Sequence, residues 1–274
     1  MKLKDKLQQL RSEGRGILAT NFYNVETLHG VLAAAAEMNE PLILQLTQSS
    51  IDYMGLETAV NLGRTGLKQF GVEGWIHLDH GGSVELAQRC LDAGFDSVMI
   101  DGSELPFDEN IKITKEVVER AKKYGAHVEA ELGYVAKLGQ SHDDKVFTQP
   151  EEAKQFVEET GIDALAIAIG TAHGFYKQEP ELQLDLLERI AEATPVGLVL
   201  HGGSGVPGSQ MQAAITRGIC KVNLATEIKN IFMKTLQSEL RNNEEIDLRK
   251  VFPVATAEIT KLVKGRLEIV KNNV

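Results

Sequence analysis

Eight apolar, β-rich runs alternate with helical patterns along the 274-residue chain, and that count constrains the fold more than any other feature. The runs fall at 16–22, 41–47, 75–80, 96–102, 127–133, 164–170, 197–203 and 221–226. Between them, segments such as "VETLHGVLAAAAEMN", "VELAQRCLDAG" and "DENIKITKEVVERAKKYG" repeat apolar residues at three- and four-residue spacing, as helices do. Gly94 and Gly125 stand where two of these helices should stop. Strict alternation implies parallel pairing through right-handed crossovers. Eight such strands close a (β/α)8 TIM barrel, and the chain length fits the roughly 250 residues typical of that α/β fold. An open, doubly wound sheet is the alternative, but the glycine-rich dinucleotide fingerprint after the first strand is absent. No stretch rich in Pro, Gly or Ser divides the chain, so residues 1–274 are expected to form a single barrel domain.

Two segments exceed a minimal barrel. "YVAKLGQSHDDKVFTQP" (134–150) is long for a strand-to-helix connection, and loops of that length are often lids or binding loops. "FPVATAEITKLVKGRLEIVKNNV" (252–274) reads as an extra C-terminal helix, packed against the barrel or against a second subunit.

A formal charge of −10 argues against a general nucleic-acid binder, which needs a basic surface. An acidic protein that handles anions must instead concentrate its positive groups locally. Cys90 and Cys220 are the only cysteines and have no paired spacing, which excludes a disulfide scaffold and a thiolate zinc site and suits a reducing compartment. The N-terminal "MKLKDKLQQLRSEG" is a charged amphipathic helix without the apolar centre of a signal peptide. No apolar run approaches the roughly 18 residues that span a bilayer. A soluble, cytoplasmic protein without a membrane partner is expected.

The strands end unusually. "GWIHLDHGGS" closes on Asp79 and His80, "ALAIAIGTAHG" on His173, and "VGLVLHGGSG" on His201. Active sites in this fold lie at the C-terminal ends of the strands, so these residues share one rim. Asp101 stands there after strand 4, Glu129 and Glu131 on strand 5, and Asn223 and Thr226 at strand 8. Three imidazoles from three strand ends are the usual ligand number for a catalytic zinc with an open position, although cobalt, iron or manganese also suits them. Of the seven histidines, His29, His127 and His142 are assigned no ligand role, and His77 is expected to face outward from its strand. Asp79 and His80 would diverge on an ideal strand, but a turn at the strand end lets both reach the mouth. A carboxylate there can transfer protons or orient a ligand.

"HGGSGVPGSQ" and "NLATE" follow strands 7 and 8, whose loops frequently bind phosphate in such barrels. The backbone N–H groups of Gly202, Gly203, Ser204, Gly205 and Thr226 would form the anion cradle, with Gly174 and Lys177 from the loop after strand 6.

Taken in order, "LDHGGS", "MIDGS", "VEAELG", "IGTAHG", "LHGGSG" and "NLATE" resemble the motifs of the class II, metal-dependent ketose-bisphosphate aldolases of the fructose- and tagatose-bisphosphate type, from about Asn21 to the C-terminal helix. The resemblance implies His80, His173 and His201 as zinc ligands and Asp79 as the catalytic acid/base. It implies Asp101 and Glu131 as contacts to a second or displaced metal ion. Gly174, Lys177, Gly202, Ser204 and Thr226 would hold phosphate, and Asn223 the substrate's oxygen atoms. The implied cofactor is Zn2+ or another divalent transition metal, with a monovalent cation as an accessory. The implied reaction is reversible aldol cleavage of a phosphorylated ketose to dihydroxyacetone phosphate and an aldehyde, by a homodimer or homotetramer. A Schiff-base aldolase needs a lysine at a strand end, and Lys221 instead begins strand 8 at the opposite rim.

The chain also departs from the family's patterns. "NLATE" is closer to the tagatose branch than the common "NxDTD", while "LHGGSG" is fructose-like where the tagatose branch often has "LHGASD". Leu138 and Gly139 stand near the usual place of loop acids, leaving His142, Asp143 and Asp144 as substitutes. "TQSS" (47–50) replaces a frequent "SEG" and offers an uncharged pocket to an aldehyde half carrying an anion such as a sulfonate. Within the class, 6-deoxy-6-sulfofructose 1-phosphate or a deoxy-keto sugar acid phosphate is the alternative substrate. A non-catalytic, sugar-phosphate-binding partner subunit is the alternative of another kind, and retention of the three histidines with Asp79 speaks against it.

Overall fold

A computed structural model describes residues 1–133, 135–137, 147–176, 178–241 and 243–271, with Ala136 and Lys137 described by their backbone alone. Strands β1 (Ile17–Asn21), β2 (Leu42–Leu46), β3 (Gly74–Gly81), β4 (Ser97–Ile100), β5 (His127–Leu132), β6 (Ala164–Ile167), β7 (Gly197–Leu200) and β8 (Ile219–Leu224) form one closed barrel. Every neighbouring pair is parallel, and β8 returns to pair with β1. This is the expected (β/α)8 fold. The sixth run is shorter than its apolar stretch predicts. Past its end Gly170 turns the chain at φ +113°, where a Cβ would lie 2.5 Å from the Glu181 carbonyl oxygen. The chain then forms a two-residue strand, Ala172–His173, beside Ala136–Lys137.

The helices are α1 (Leu3–Ser12), α2 (Val25–Met38), α3 (Gln48–Met54), α4 (Leu56–Phe70), α5 (Val84–Asp92), α6 (Phe107–Lys122), α7 (Pro150–Thr160), α8 (Leu184–Ala193), α9 (Gly208–Ile215), α10 (Thr226–Glu239) and α11 (Leu248–Lys271). Local chemistry starts several of them where the strands end. Asn24 and Thr27 form a capping box on α2, and Ser83 Oγ accepts from the Leu86 N–H at 3.1 Å to cap α5. Thr47 caps α3, and its hydroxyl lies 3.0 Å from those of both Ser49 and Ser50. The "TQSS" segment therefore has a local structural role at the end of β2.

Two apolar layers follow from the strand alternation. Outward residues such as Leu18, Leu44, Ile76 and Leu165 pack beneath the helices. Inward residues Ile17, Ala19, Ile43, Trp75, Ala164, Ala166, Val199 and Cys220 meet Leu3, Leu7 and Leu10 of α1, which plugs the N-terminal mouth. The C-terminal helix α11 packs against α2 and α10. Gly30 permits that approach, because a Cβ there would lie 2.8 Å from Ile259, and Thr260 Oγ1 donates to the Gly30 carbonyl at 3.1 Å. Among the described residues, no helix is long and apolar enough to cross a membrane.

Candidate active site

The rim above β3 is built on a backbone distortion. The β3–β4 register shifts between Leu78 and Gly81, and His80 adopts φ +50°. A left-handed non-glycine residue costs on the order of 1–3 kcal/mol and persists only where its surroundings enforce it. Here the bulge turns Asp79 and His80, neighbours in sequence, towards the same mouth. Gly81 completes it, since a Cβ there would lie 2.4 Å from the Met99 carbonyl oxygen.

The bulge also corrects an expectation. His77 faces the barrel lumen rather than outward, because it shares its face with Asp79, two residues on, and the parity changes only at His80. It is 0% exposed, and its Nδ1 lies 2.7 Å from Ser97 Oγ. Lys221 is likewise not at the opposite rim. Its ammonium group lies inside the barrel, 2.6 Å from Glu129 Oε2 and 3.2 Å from His77 Nε2. His127 is a buried histidine with Nδ1 3.0 Å from Ser97 Oγ, and His29 packs near Phe70.

His80, His173 and His201 do converge. Their ring centroids are 4.8 Å apart for His80 and His173, 4.7 Å for His80 and His201, and 6.0 Å for His173 and His201. One nitrogen from each lies within 4.8 Å of the others, as metal ligands would. A second group, His80, Asp101 and Glu131, meets the same criterion.

The carboxylates fix which nitrogens are available. His80 Nδ1 donates to Asp101 Oδ2 at 2.7 Å, which leaves Nε2 as its lone-pair atom. His201 Nε2 donates to Glu129 Oε1 at 2.9 Å, leaving Nδ1. His80 Nε2 and His201 Nδ1 lie 3.0 Å apart, a gap that a proton on His80 or a metal ion can bridge, and Glu131 Oε2 lies 3.3 Å from His201 Nδ1. Glu131 Oε2 is buried and has no hydrogen-bond partner among the described residues. Without a metal, protons on His80 and Glu131 relieve the crowding of these atoms, and a divalent cation bound between them would take the place of those protons. This donor set of imidazole nitrogens with a carboxylate oxygen fits a divalent transition metal.

The electrostatics agree. Burial opposes charge on His80, yet the bond to Asp101 and the nearby Asp79 and Glu131 raise its pKa to about 9, so the site attracts positive charge. His173 is driven down to about 3 by burial and by the neighbouring imidazoles, which keeps it neutral at pH 7. Burial raises Glu131 to about 8 against the pull of His80. Asp101 works the other way, with its hydrogen bond to His80 outweighing burial and lowering its pKa.

Asp79 is 5% exposed and lies 4.0 Å from His80 Nε2. Burial alone would raise its pKa, but His80 and His201 hold it below the ordinary value. Asn21 Nδ2 donates to one carboxylate oxygen at 3.1 Å and Asn223 Nδ2 to the other at 3.3 Å. Asn223 thus holds Asp79, and its own Oδ1 has no partner among the described residues. Sequence reasoning missed Asn21, although its place at the end of β1 was a usable signal.

The glycine-rich loops form a tighter cradle than their sequence predicts. Gly174, Gly202 and Gly205 have positive φ, and a Cβ on Gly202 would lie 2.4 Å from the Ala172 carbonyl oxygen. Gly203 and Gly205 are not free donors. The first N–H goes to the Asn223 carbonyl at 3.0 Å and the second to Glu227 Oε1 at 2.7 Å. Glu227, the last residue of "NLATE", is in turn gripped by Arg266 of α11. Ser204 Oγ accepts from the Glu227 N–H at 3.3 Å, and Thr226 opens α10. Tyr176 joins two rim loops, its hydroxyl accepting from Ala172 N–H and donating to the Gly202 carbonyl, both at 2.8 Å. Lys177, Leu138, Gly139, His142, Asp143 and Asp144 lie outside the described residues.

Comparison with known proteins agrees with the barrel fold. The family model of the class-II fructose-bisphosphate aldolases matches residues 1–273. Over 246 residues the chain is 42% identical to the D-tagatose-1,6-bisphosphate aldolase subunit GatY of Klebsiella oxytoca, covering 88% of this chain and 87% of that protein. The crystal structure of the YdjI aldolase from Escherichia coli K12 matches with a TM-score of 0.88 at 30% identity, over 98% of this chain and 96% of that one. The fructose-bisphosphate aldolase of Campylobacter jejuni shares the fold, with a TM-score of 0.83 at 23% identity over 98% of this chain and 95% of that one. The matched sequence and the barrel together make this chain a member of the class II fructose-bisphosphate aldolase family.

Proposed function

We propose that this aldolase is a zinc enzyme that cleaves a ketose 1,6-bisphosphate of the tagatose or fructose type into dihydroxyacetone phosphate and an aldehyde, and runs the condensation in reverse. The observation that carries the reading is the convergence of His80 Nε2, His201 Nδ1 and Glu131 Oε2 on one space beside Asp79, with His173 within ligand distance. His80, His173 and His201 hold the metal, and Asp101 and Glu131 border it. A divalent cation there supplies Lewis-acid stabilisation of the negative charge that develops as the carbon–carbon bond breaks. Asp79 takes the hydroxyl proton of the aldehyde half during cleavage and returns it during condensation. Asn21 and Asn223 keep that carboxylate aimed, which limits the motion it would otherwise need before each transfer.

The N–H groups of Gly174, Gly202, Ser204 and Thr226, with Lys177, receive the phosphate shared by the candidate substrates. The Ser204 hydroxyl is an acceptor towards Glu227 N–H, so its own proton is available for a phosphate oxygen. Tagatose 1,6-bisphosphate is favoured by the GatY relative and by "NLATE". That relative's designation as a subunit supports an assembly of more than one chain, which we take to be a homodimer or homotetramer. The buried free thiols of Cys90 and Cys220 suit the cytoplasm. Lys221 is engaged with Glu129 and His77 below the rim, which argues against an imine mechanism.

The test is turnover of zinc-loaded protein on tagatose 1,6-bisphosphate, fructose 1,6-bisphosphate and 6-deoxy-6-sulfofructose 1-phosphate, each with and without a chelator. We expect the highest kcat/KM on tagatose 1,6-bisphosphate, loss of activity on chelation, and no covalent trapping by borohydride. Preference for the sulfonated sugar would reassign the substrate. Trapping would overturn the metal mechanism, and absence of turnover on all three would favour a binding subunit.

A further inference from the structure

Beneath the three histidines the lumen holds a second polar layer that the proposed chemistry does not use. His77, Ser97 and Glu129 are 0% exposed, Lys221 1% and His127 4%. They form one continuous chain. His127 Nδ1 lies 3.0 Å from Ser97 Oγ, which lies 2.7 Å from His77 Nδ1. His77 Nε2 lies 3.2 Å from Lys221 Nζ, which lies 2.6 Å from Glu129 Oε2. Glu129 Oε1 then meets His201 Nε2 at 2.9 Å. A buried ion pair is often neutral or unfavourable compared with apolar residues of similar volume, so stability alone does not account for one here.

The ammonium group gives the chain a direction, because it donates and never accepts. Lys221 donates to Glu129 Oε2 on one side and to His77 Nε2 on the other. His77 therefore carries its proton on Nδ1 and donates to Ser97 Oγ. The Ser97 hydroxyl then turns its hydrogen to His127 Nδ1, which leaves the His127 proton on Nε2. On the metal side, Lys221 occupies one Glu129 oxygen and leaves the other to accept the His201 Nε2–H.

We propose that Lys221 is a positioning residue for the metal centre: by anchoring Glu129 it fixes the tautomer of His201 and so decides that Nδ1 is the nitrogen offered to the metal. The proposal rests on the reading above, in which His80, His173 and His201 hold that metal. Outer partners of metal-bound histidines typically change metal affinity by about 10–100-fold. Lys221 would do so through Glu129 without touching the metal or substrate.

The first test needs no variant and no metal. Histidine-selective 15N NMR of the metal-free protein should find His201 and His127 as Nε2–H tautomers and His77 as Nδ1–H. Finding His201 as Nδ1–H overturns the proposal. The second test uses Glu129→Gln with Lys221→Met, which removes the pair as a unit and leaves no lone buried charge. The amide can turn either its oxygen or its N–H towards His201, so mixed His201 tautomers are expected. Zinc affinity, measured against a chromophoric chelator, should fall about 10–100-fold, and the visible spectrum of the Co(II) protein should change. Unchanged affinity with an unchanged spectrum would reduce Lys221 to a packing role. Failure of the unaltered protein to bind zinc would instead sink the metal reading, while the tautomer set would still decide the role of Lys221.

Discussion

The two mouths of the barrel are made by the same eight strands and have opposite chemistry. At the N-terminal mouth, Leu3, Leu7 and Leu10 of α1 close over Ile17, Ile43, Trp75 and Val199, all buried. At the C-terminal mouth the strands end in imidazoles and carboxylates, on backbone strained at His80 and turned through positive φ at Gly174, Gly202 and Gly205. The strained mouth cannot be what holds the fold together. The left-handed His80 and the burial of so many polar groups are costs, offset by the apolar plug below and by the helix-covered outer face. A barrel thus separates the residues that stabilise it from those that react, as long as the two sets occupy different layers.

That division can be broken by mutation, and the expected effects fall in a clear order. His173→Ala should have the largest. Loss of one ligand should lower zinc stoichiometry and reduce kcat/KM by about 10^3-fold or more, the equivalent of several kcal/mol of Lewis-acid stabilisation. Metal analysis and steady-state kinetics on the same preparation check both. Asp79→Ala should come next, lowering kcat by about 10^2–10^4-fold with zinc retained. Zinc loss in that variant would recast Asp79 as a structural partner of His80. At the other mouth, Leu7→Ala should cost about 2–5 kcal/mol in denaturant unfolding and leave kcat of the folded enzyme unchanged. A fall in kcat there would mean that the two layers are coupled.

The smallest effect concerns pH. Burial lowers the pKa of His127 from an ordinary 6.5 to about 4. Between those values the unfolded chain holds a proton that the native one does not. The contribution is therefore complete above about pH 6.5 and is lost as pH falls towards 4. The loss from this group is on the order of 1–3 kcal/mol. Unfolding of His127→Gln across this range should have a flatter pH dependence than the unaltered protein. An identical slope would remove His127 as its source.

Much of the site could be read from sequence because strand ends are local features. His80, His173 and His201 each follow an apolar run and directly precede a glycine, so the topology alone brings them to one mouth. His77 was not legible in the same way. Its direction depends on where the bulge falls, and counting back from His80 crosses that bulge and inverts the parity. The partnerships of Glu129 with Lys221 and of Glu227 with Arg266 join residues 92 and 39 positions apart. No local pattern encodes such pairs. The glycine-rich loop misled in a different manner, since composition does not reveal that Gly203 and Gly205 already donate within the protein.

The central claim is that three imidazoles from three strand ends meet around one metal ion. X-ray absorption at the zinc edge of the loaded protein tests it most directly. Three imidazole nitrogens are expected among the scatterers at about 2.0–2.1 Å, with oxygen ligands completing the shell. A shell of oxygen alone, or one containing fewer than three imidazoles, would contradict it.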